Sequence, residues 1–180
     1  MRDDFHIIKC KVFRPVMLQK KLLVGFFVVT VTTLPLSTHA QKAERHAHQL
    51  FSLINRVRLR KYLPQWTKQM QLQTAAKMHA EDMRDRKYFT HESPEGNRVG
   101  DRVKLANYPD IDLENCECSF ETHVGENLAK GQKSARQVVR EWLHSRNHRG
   151  LLLSPVYTEA GIGKAGEVWV LVVGHTEIKK

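Results

Sequence analysis

Several signals of common protein classes are absent from this sequence. It contains no internal repeat and no low-complexity tract, which indicates one continuous domain. It contains no G-x-S-x-G motif, so the strand–Ser–helix elbow of many serine hydrolases is excluded. The three cysteines provide one C-x-C pair but no second C-x-C or C-x-x-C, so a complete four-cysteine metal site is also missing.

A long apolar run suitable for a membrane span is lacking as well. The longest run, Leu22 to Leu36, has 15 residues and is interrupted by a proline and by threonines. Two lysines precede it and small residues ending at Ala40 follow it, which is the pattern of a secretory signal peptide. We therefore predict a signal peptide over residues 1–40, with Met17 as an alternative start, a domain over residues 41–180 and a secreted or periplasmic location. An uncleaved anchor is the alternative.

The chain has fewer acidic than basic residues. The chain has a formal net charge of +10, and residues 41–180 keep 23 Lys+Arg against 17 Asp+Glu. Such a charge raises the question of nucleic acid, but export argues against nucleic acid as a partner. An anionic envelope polymer, a lipid or another small ligand is the expected partner, unless the charge only keeps the protein soluble.

The C-x-C pair, Cys116 and Cys118, lies in an acidic segment from Asp110 to Glu121. Side chains two residues apart on an extended chain point the same way, so the pair is compatible with a strained, easily reduced disulfide. It is also compatible with two metal ligands. The acids follow a calcium-loop spacing, but Asn115 stands where that loop needs glycine, which favours a solvated insert.

Three segments show helical periodicity of apolar residues. The first runs from Ala43 to Arg60. The second is predicted to be capped by Thr67 and carries His79 on its apolar stripe, where a histidine is most often a core residue with one satisfied hydrogen bond. The third begins at Ser134 with the S-x-x-Q form of a capping box.

The final segment predicts a buried strand. Residues Val168 to Val173 are apolar at every position, which indicates a strand covered on both faces. The preceding residues, Lys164 to Glu167, contain Gly166 and predict a hairpin turn. Helices earlier in the chain can supply both covers. The predicted class is therefore α/β, with a small sheet between helical layers.

Candidate site residues occur in three distant segments. His91 lies in FTHESPEG, Glu126 in HVGENLAKG and His148 in EWLHSRNHRG. Glu126 has small and apolar neighbours, so a buried position would require a partner for its charge. Separations of 35 and 22 residues mean that only tertiary structure could bring the three together. Taken singly, each histidine is more often a surface or structural residue.

The order of these segments resembles the CAP superfamily, which includes cysteine-rich secretory proteins, insect venom antigens and plant pathogenesis-related proteins. The bacterial secreted, SCP-like branch is the most similar. The matching pieces are the A-x-x-H-A-x-D-M run Ala76 to Met83, FTHESPEG, Arg98, Arg102, Tyr108, GENLAKG, the E-W-x-x-S run Glu141 to Ser145, NHRGLLLSPVYTEAGIG and a final strand with Trp169.

The resemblance implies a three-layer α-β-α sandwich with a small, mainly antiparallel central sheet. It also implies a cleft lined by two histidines and one or two acids, in which His91, Glu126 and His148 match the family positions. Ser145 stands where animal members have a second glutamate. His144 is adjacent but would point about 100° away around a helix. The family's full set of four residues is therefore incomplete.

Two chemistries are open for this cleft. His91, His148 and Glu126 would make a His₂Glu metal site with an open position, and zinc or another divalent metal is the cofactor that the resemblance implies. The same residues could instead form a hydrogen-bonded cluster without metal. For hydrolysis, Ser93 is the candidate nucleophile with His91 as base, although serine before proline is common in turns for conformational reasons.

The leading hypothesis is a secreted or periplasmic CAP-domain protein that binds a divalent metal, a lipid or an envelope ligand. A hydrolase acting on peptides or wall material through His91 and Glu126 is the first alternative. A structural envelope protein is the second.

Overall fold

The structure, a computed structural model, describes residues 6–11, 38–109 and 119–179. In chain order its elements are β1 His6–Lys11, α1 Thr38–Arg60, β2 Thr67–Lys68, α2 Met70–Asp85, α3 Val99–Leu105, β3 Ser119–Lys130, α4 Ala135–His144, α5 Arg146–Leu152, β4 Glu159–Ala165 and β5 Val168–Lys179. Cys116, Cys118, most of the acidic segment and most of the predicted signal peptide lie outside the described residues.

One sheet forms the middle of the domain, with strand order β1-β3-β5-β4-β2. The pairs β1–β3, β3–β5 and β4–β5 are antiparallel, and the short β2 pairs with β4 in parallel. The β4–β5 hairpin turns at Gly166, which has a φ of +53°. The prediction of a small, mainly antiparallel sheet is therefore confirmed, as is the hairpin.

Strand β5 is covered on both faces, as its unbroken apolar sequence predicts. Trp169, Leu171 and Val173 belong to a core that includes residues of α1, α4 and α5. The alternate residues Val168, Val170 and Val172 belong to a second core, with residues of α2 and α3. Because successive side chains of a strand point to opposite faces, the sheet separates two helical layers. The three-layer α-β-α sandwich is confirmed.

Helix α2 lies directly on β4 because that strand presents two glycines to it. A Cβ atom at Gly161 would overlap the backbone at Leu72 and Gln73, and one at Gly163 would overlap the backbone at Ala76. Only glycine permits so close an approach of two backbones. The pair therefore sets the height of α2 above the sheet.

The two predicted helix caps have different outcomes. Ser134 accepts a hydrogen bond from the Gln137 N–H and begins α4, as its capping-box sequence predicts. The prediction for Thr67 is wrong, because Thr67 lies in β2 and α2 begins at Met70 with no side-chain cap. Backbone pairing of β2 with β4 occupies the segment where a cap was expected.

The N-terminal boundary of the domain stays a prediction. Strand β1 pairs with the edge of β3, and α1 begins at Thr38, so both include residues of the predicted signal peptide. The core side chains of α1 begin at Ala47 and Leu50, beyond the predicted cleavage after Ala40. Cleavage there would remove an edge strand and the first turn of α1 but none of the core described above.

Candidate functional site

His91 and Glu126, which are 35 residues apart in sequence, are in direct contact. The Nδ1 atom of His91 lies 2.9 Å from Oε1 of Glu126. The carboxyl side chain is only 2% exposed, whereas the imidazole is 42% exposed. Strand β3 thus supplies a buried acid that orients a histidine at the surface.

The loop that carries His91 is shaped by its own polar residues. The carbonyl oxygen of Ser93 accepts the Gly96 N–H at 2.8 Å and closes a tight turn, with Gly96 at a φ of +87°. The Asp101 carboxylate then accepts the Arg98 N–H at 3.0 Å and begins α3. The sequence S-P-E-G followed by R-x-x-D therefore specifies a turn and a helix start.

Arg102 joins this loop to the buried acid. Its Nη2 atom donates to Oε2 of Glu126 at 2.8 Å and to the carbonyl oxygen of His91 at 3.0 Å. Its Nη1 atom donates to the carbonyl oxygen of Asn97 at 2.8 Å. One guanidinium, itself nearly buried, thus holds both the acid and the backbone of the histidine that the acid orients.

The charge of Glu126 is stabilised by these contacts. Burial alone would raise the pKa of the Glu126 carboxyl, but the hydrogen bond from His91 and the positive charge of Arg102 outweigh it, so the pKa lies below its ordinary value. An ionised Glu126 accepts hydrogen bonds only, so Nδ1 of His91 carries the donated proton. In the neutral ring, Nε2 is then an acceptor.

His79 of α2 contacts the backbone of the same loop. It is 1% exposed, and its Nε2 atom lies 3.1 Å from the carbonyl oxygen of Thr90, the residue before His91. The same nitrogen is 3.8 Å from Glu126. Burial lowers the pKa of His79 more than the negative charge of Glu126 raises it, so a neutral ring donates to Thr90.

His148 lies near this cluster on the first turn of α5. Its carbonyl oxygen accepts a hydrogen bond from Asn127, the neighbour of Glu126 in β3, at 3.0 Å. Its ring centroid is 6.4 Å from that of Trp142. Burial is the main cause that lowers the pKa of His148, with a smaller electrostatic contribution from His91.

The two predicted serines contribute less. The Ser93 hydroxyl donates to Glu95 at 3.1 Å and accepts from the Asn97 N–H at 3.2 Å, so both of its hydrogen bonds stay within the loop. Ser145 lies at the junction of α4 and α5, and its side chain does not cap α5. Ser93 is therefore engaged in loop structure rather than aligned with His91.

The arrangement does not fit a three-ligand metal centre. Among the described residues, no group of three or more His, Cys, Asp or Glu side chains is arranged to hold a metal ion. Both oxygens of Glu126 are hydrogen-bonded, and one faces the cationic Arg102 at 2.8 Å. A divalent ion at Glu126 would be repelled by that guanidinium. The zinc site stays a prediction, and this geometry does not support it.

The fold and this cluster define a class of protein. It is an α-β-α sandwich in which strand β3 supplies one buried acid and the loop between α2 and α3 supplies the histidine that this acid contacts. A family model described as the cysteine-rich secretory protein family, CAP, matches residues 51–167. The chain therefore belongs to the CAP family, as the order of its motifs predicts.

Individual relatives are extracellular, surface or uncharacterized proteins. The uncharacterized protein YkwD of Bacillus subtilis (strain 168) is 35% identical over 100 residues, which cover 54% of this chain and 35% of YkwD. A solved extracellular protein containing a SCP domain from Bacillus anthracis str. Ames has a TM-score of 0.66 at 27% identity, over 82% of this chain and 45% of that one. This chain thus spans about a third of YkwD and less than half of the solved protein.

A solved outer surface protein from Borrelia burgdorferi has a TM-score of 0.61 at 20% identity, over 75% of this chain and 96% of that one. At that identity the likeness concerns the fold alone. Within the described part of the chain, no helix combines the length and the apolar character needed to cross a membrane.

Two residues of the site were not recognised in the sequence. Arg102 was part of the matched motif without a role, and His79 was interpreted as a core histidine with one hydrogen bond. That interpretation of His79 is confirmed, but its contact is with the His91 loop. The available signals were the place of both residues in the matched motifs and their short distance in sequence to that loop.

Proposed function

We propose that this protein is an exported CAP-domain protein that binds a hydroxyl-bearing ligand of the cell envelope, of which peptidoglycan glycan is the class that fits best. One observation carries the proposal: the half-exposed His91 ring is held at Nδ1 by the buried Glu126, 2.9 Å away. In the neutral ring this leaves Nε2 as an acceptor for a ligand hydroxyl.

The surroundings support a binding site that is formed in advance. His79 and Arg102 hold the backbone on both sides of His91, so little conformational entropy is lost when a ligand contacts the ring. The backbone of His148 is hydrogen-bonded to Asn127, the neighbour of Glu126, and burial lowers the pKa of the His148 imidazole. The solved extracellular SCP-domain protein, at 27% identity, supports export.

Cosedimentation of the full chain with purified peptidoglycan, stripped of phosphate polymers, tests the proposal. We expect His91→Ala to weaken binding by about three- to tenfold, the equivalent of one lost neutral hydrogen bond. Ser93→Ala is the matched control in the same loop and should bind like the wild type. Equal binding by the wild type and His91→Ala, or no binding by the wild type, would exclude the proposal.

A hydrolase is the second candidate, and the same histidine–carboxylate pair favours it. A carboxylate on Nδ1 leaves Nε2 able to take a proton from a water molecule that attacks the substrate. The cosedimentation supernatant distinguishes the two functions. Soluble glycan or peptide fragments released by the wild type and by Ser93→Ala, but not by His91→Ala, would indicate a hydrolase in which His91 activates water.

Zinc can be tested at the same position. Calorimetric titration of zinc into the wild type, His91→Ala and His148→Ala measures whether either imidazole binds it. If both variants bind zinc with the same stoichiometry as the wild type, neither imidazole is a zinc ligand, and the metal hypothesis for this site is wrong.

A further inference from the structure

A groove of about 410 Å³ runs between α1 and α4, outside the site described above. We call it the arginine groove. Its floor is formed by four apolar side chains, Leu53 and Val57 of α1 and Val139 and Leu143 of α4. Its two rims carry four exposed arginines, Arg56 and Arg60 on α1 and Arg136 and Arg140 on α4.

Three exposed arginines outside the groove are paired with acids. Arg84, Arg86 and Arg98 each contact a carboxylate at 3.0 Å or less. In contrast, across residues 38–109 and 119–179 no ion pair joins any groove arginine to an acid. The charge of Arg140 reaches Glu141, but both oxygens of that carboxylate accept hydrogen bonds from Gln132 and Gln137.

The spacing of these charges is unfavourable in the free protein. Arg56 and Arg60 are four residues apart on one helix, and so are Arg136 and Arg140 on the other. Like charges at that spacing destabilise a helix. The arginine pair on α4 faces the arginine pair on α1 across the groove. Two rows of cations around one groove therefore create a positive potential that an anion would relieve.

The floor and the rims of the groove differ in exposure. Leu53, Val57 and Leu143 are partly buried against the core and Val139 is buried within it, whereas the four rim arginines are exposed. A ligand that enters the groove therefore contacts the guanidinium groups before it reaches the apolar floor. A guanidinium binds phosphate through two parallel hydrogen bonds, which a repeated phosphate can satisfy in each row.

From this geometry we propose that the arginine groove binds a linear phosphate-bearing polymer, with successive phosphates on the two rows of arginines. The site is separate from His91 and does not depend on the proposed glycan binding. Its affinity should fall steeply with salt, because each bound phosphate releases counterions.

Titration of the full chain with soluble poly(glycerol phosphate) tests the proposal. The variant Arg56→Gln, Arg60→Gln, Arg136→Gln, Arg140→Gln should bind at least about tenfold more weakly than the wild type, with a shallower salt dependence. A control with the same charge loss elsewhere is Lys68→Gln, Lys87→Gln, Lys104→Gln, Lys130→Gln, and its affinity should change by less than about threefold. All eight residues are exposed, so both variants should retain the fold.

A charge-preserving variant separates phosphate geometry from charge alone. With lysine at all four groove positions the net charge is kept but the bidentate contact is lost, so affinity should lie between those of the wild type and the glutamine variant. An equal loss of affinity in the glutamine variant and in the Lys68, Lys87, Lys104, Lys130 control would contradict the proposal for the groove. It would indicate a general effect of charge. Binding to phosphatidylglycerol vesicles without binding to the soluble polymer would also overturn it.

Discussion

Two buried arginines, in two regions of this protein, have different hydrogen-bond partners. Arg58, on the α1 side of the sheet, donates to the carbonyl oxygens of Pro64, Leu152 and Ser154 at 2.8 to 2.9 Å. Its guanidinium lies 4.4 Å from the centre of the Trp66 ring. Arg102, on the α3 side, contacts two carbonyls and the carboxylate of Glu126.

The difference separates a structural arginine from a positioning one. Burial lowers the pKa of Arg58 to about 10, since no carboxylate stabilises its charge, and its hydrogen bonds join the end of α1 to the end of α5. Arg102 instead balances a buried negative charge that orients an exposed histidine. Loss of Arg58 should therefore affect stability alone, whereas loss of Arg102 should also affect the site and its response to pH.

The largest effect is expected for Arg102→Gln, which leaves Glu126 buried without its cation. We expect a loss of about 3–5 kcal/mol in the free energy of unfolding at pH 7, measured by urea denaturation. In the wild type, the lowered pKa of Glu126 stabilises the fold above the unfolded-state value of 4.5, and this contribution is lost as pH falls.

Arg102 is one of the groups that outweigh burial at Glu126, so its removal should raise the folded-state pKa of that carboxyl relative to the wild type. The variant then gains stability relative to the wild type as pH falls from 7 to 5. A deficit of the same size at both pH values would contradict the assigned role of the Arg102–Glu126 pair.

Arg58→Leu should cost about 2–3 kcal/mol, because buried carbonyl oxygens lose their donors while the cost of burying a charge is also removed. The same urea experiments at pH 5 and pH 7 should give equal losses, since Arg58 contacts no titrating acid. Binding to peptidoglycan should be unchanged in the folded variant. A loss that depends on pH would mean that Arg58 and the acid site are coupled.

A double-mutant cycle isolates the contact itself. Arg102→Gln and Glu126→Gln together should be less destabilising than the sum of the single changes, with a coupling energy of about 1–3 kcal/mol. The matched cycle of Arg58→Leu with Glu126→Gln should be additive within about 0.5 kcal/mol, because the two residues lie in different layers.

The smallest effect is expected for Ser93→Ala. Its hydroxyl supports the loop through Glu95 and the Asn97 N–H, so we expect a loss below about 1 kcal/mol in thermal unfolding. A stability like that of the wild type, combined with loss of all activity on peptidoglycan, would restore Ser93 as a nucleophile.

The fold was predictable because its strongest signals are local. The unbroken apolar run of β5 requires cover on both faces, and alternate residues do enter two separate cores. Ser134 could be recognised as a cap from four residues. Thr67 could not be assigned correctly, because its place in β2 depends on pairing with Glu159, 92 residues further along the chain.

The candidate site was predictable only in part. His91 and Glu126 were linked by the order of family motifs, and their contact is present. Arg102 and His79 also lie in matched motifs, but no site role was assigned to them, since a basic residue on a short helix and a histidine on an apolar stripe are usually surface and core residues. What makes them part of the site is long-range packing, which periodicity does not encode.

The glycine pair of β4 has a consequence for that packing. Gly161 and Gly163 leave no clearance between the sheet and α2, and α2 carries His79. A methyl group at either glycine would push the helix outward and carry His79 away from the Thr90 carbonyl. Gly161 and Gly163, which lie in β4 and not in the His91 loop, therefore control how closely that loop is held in position.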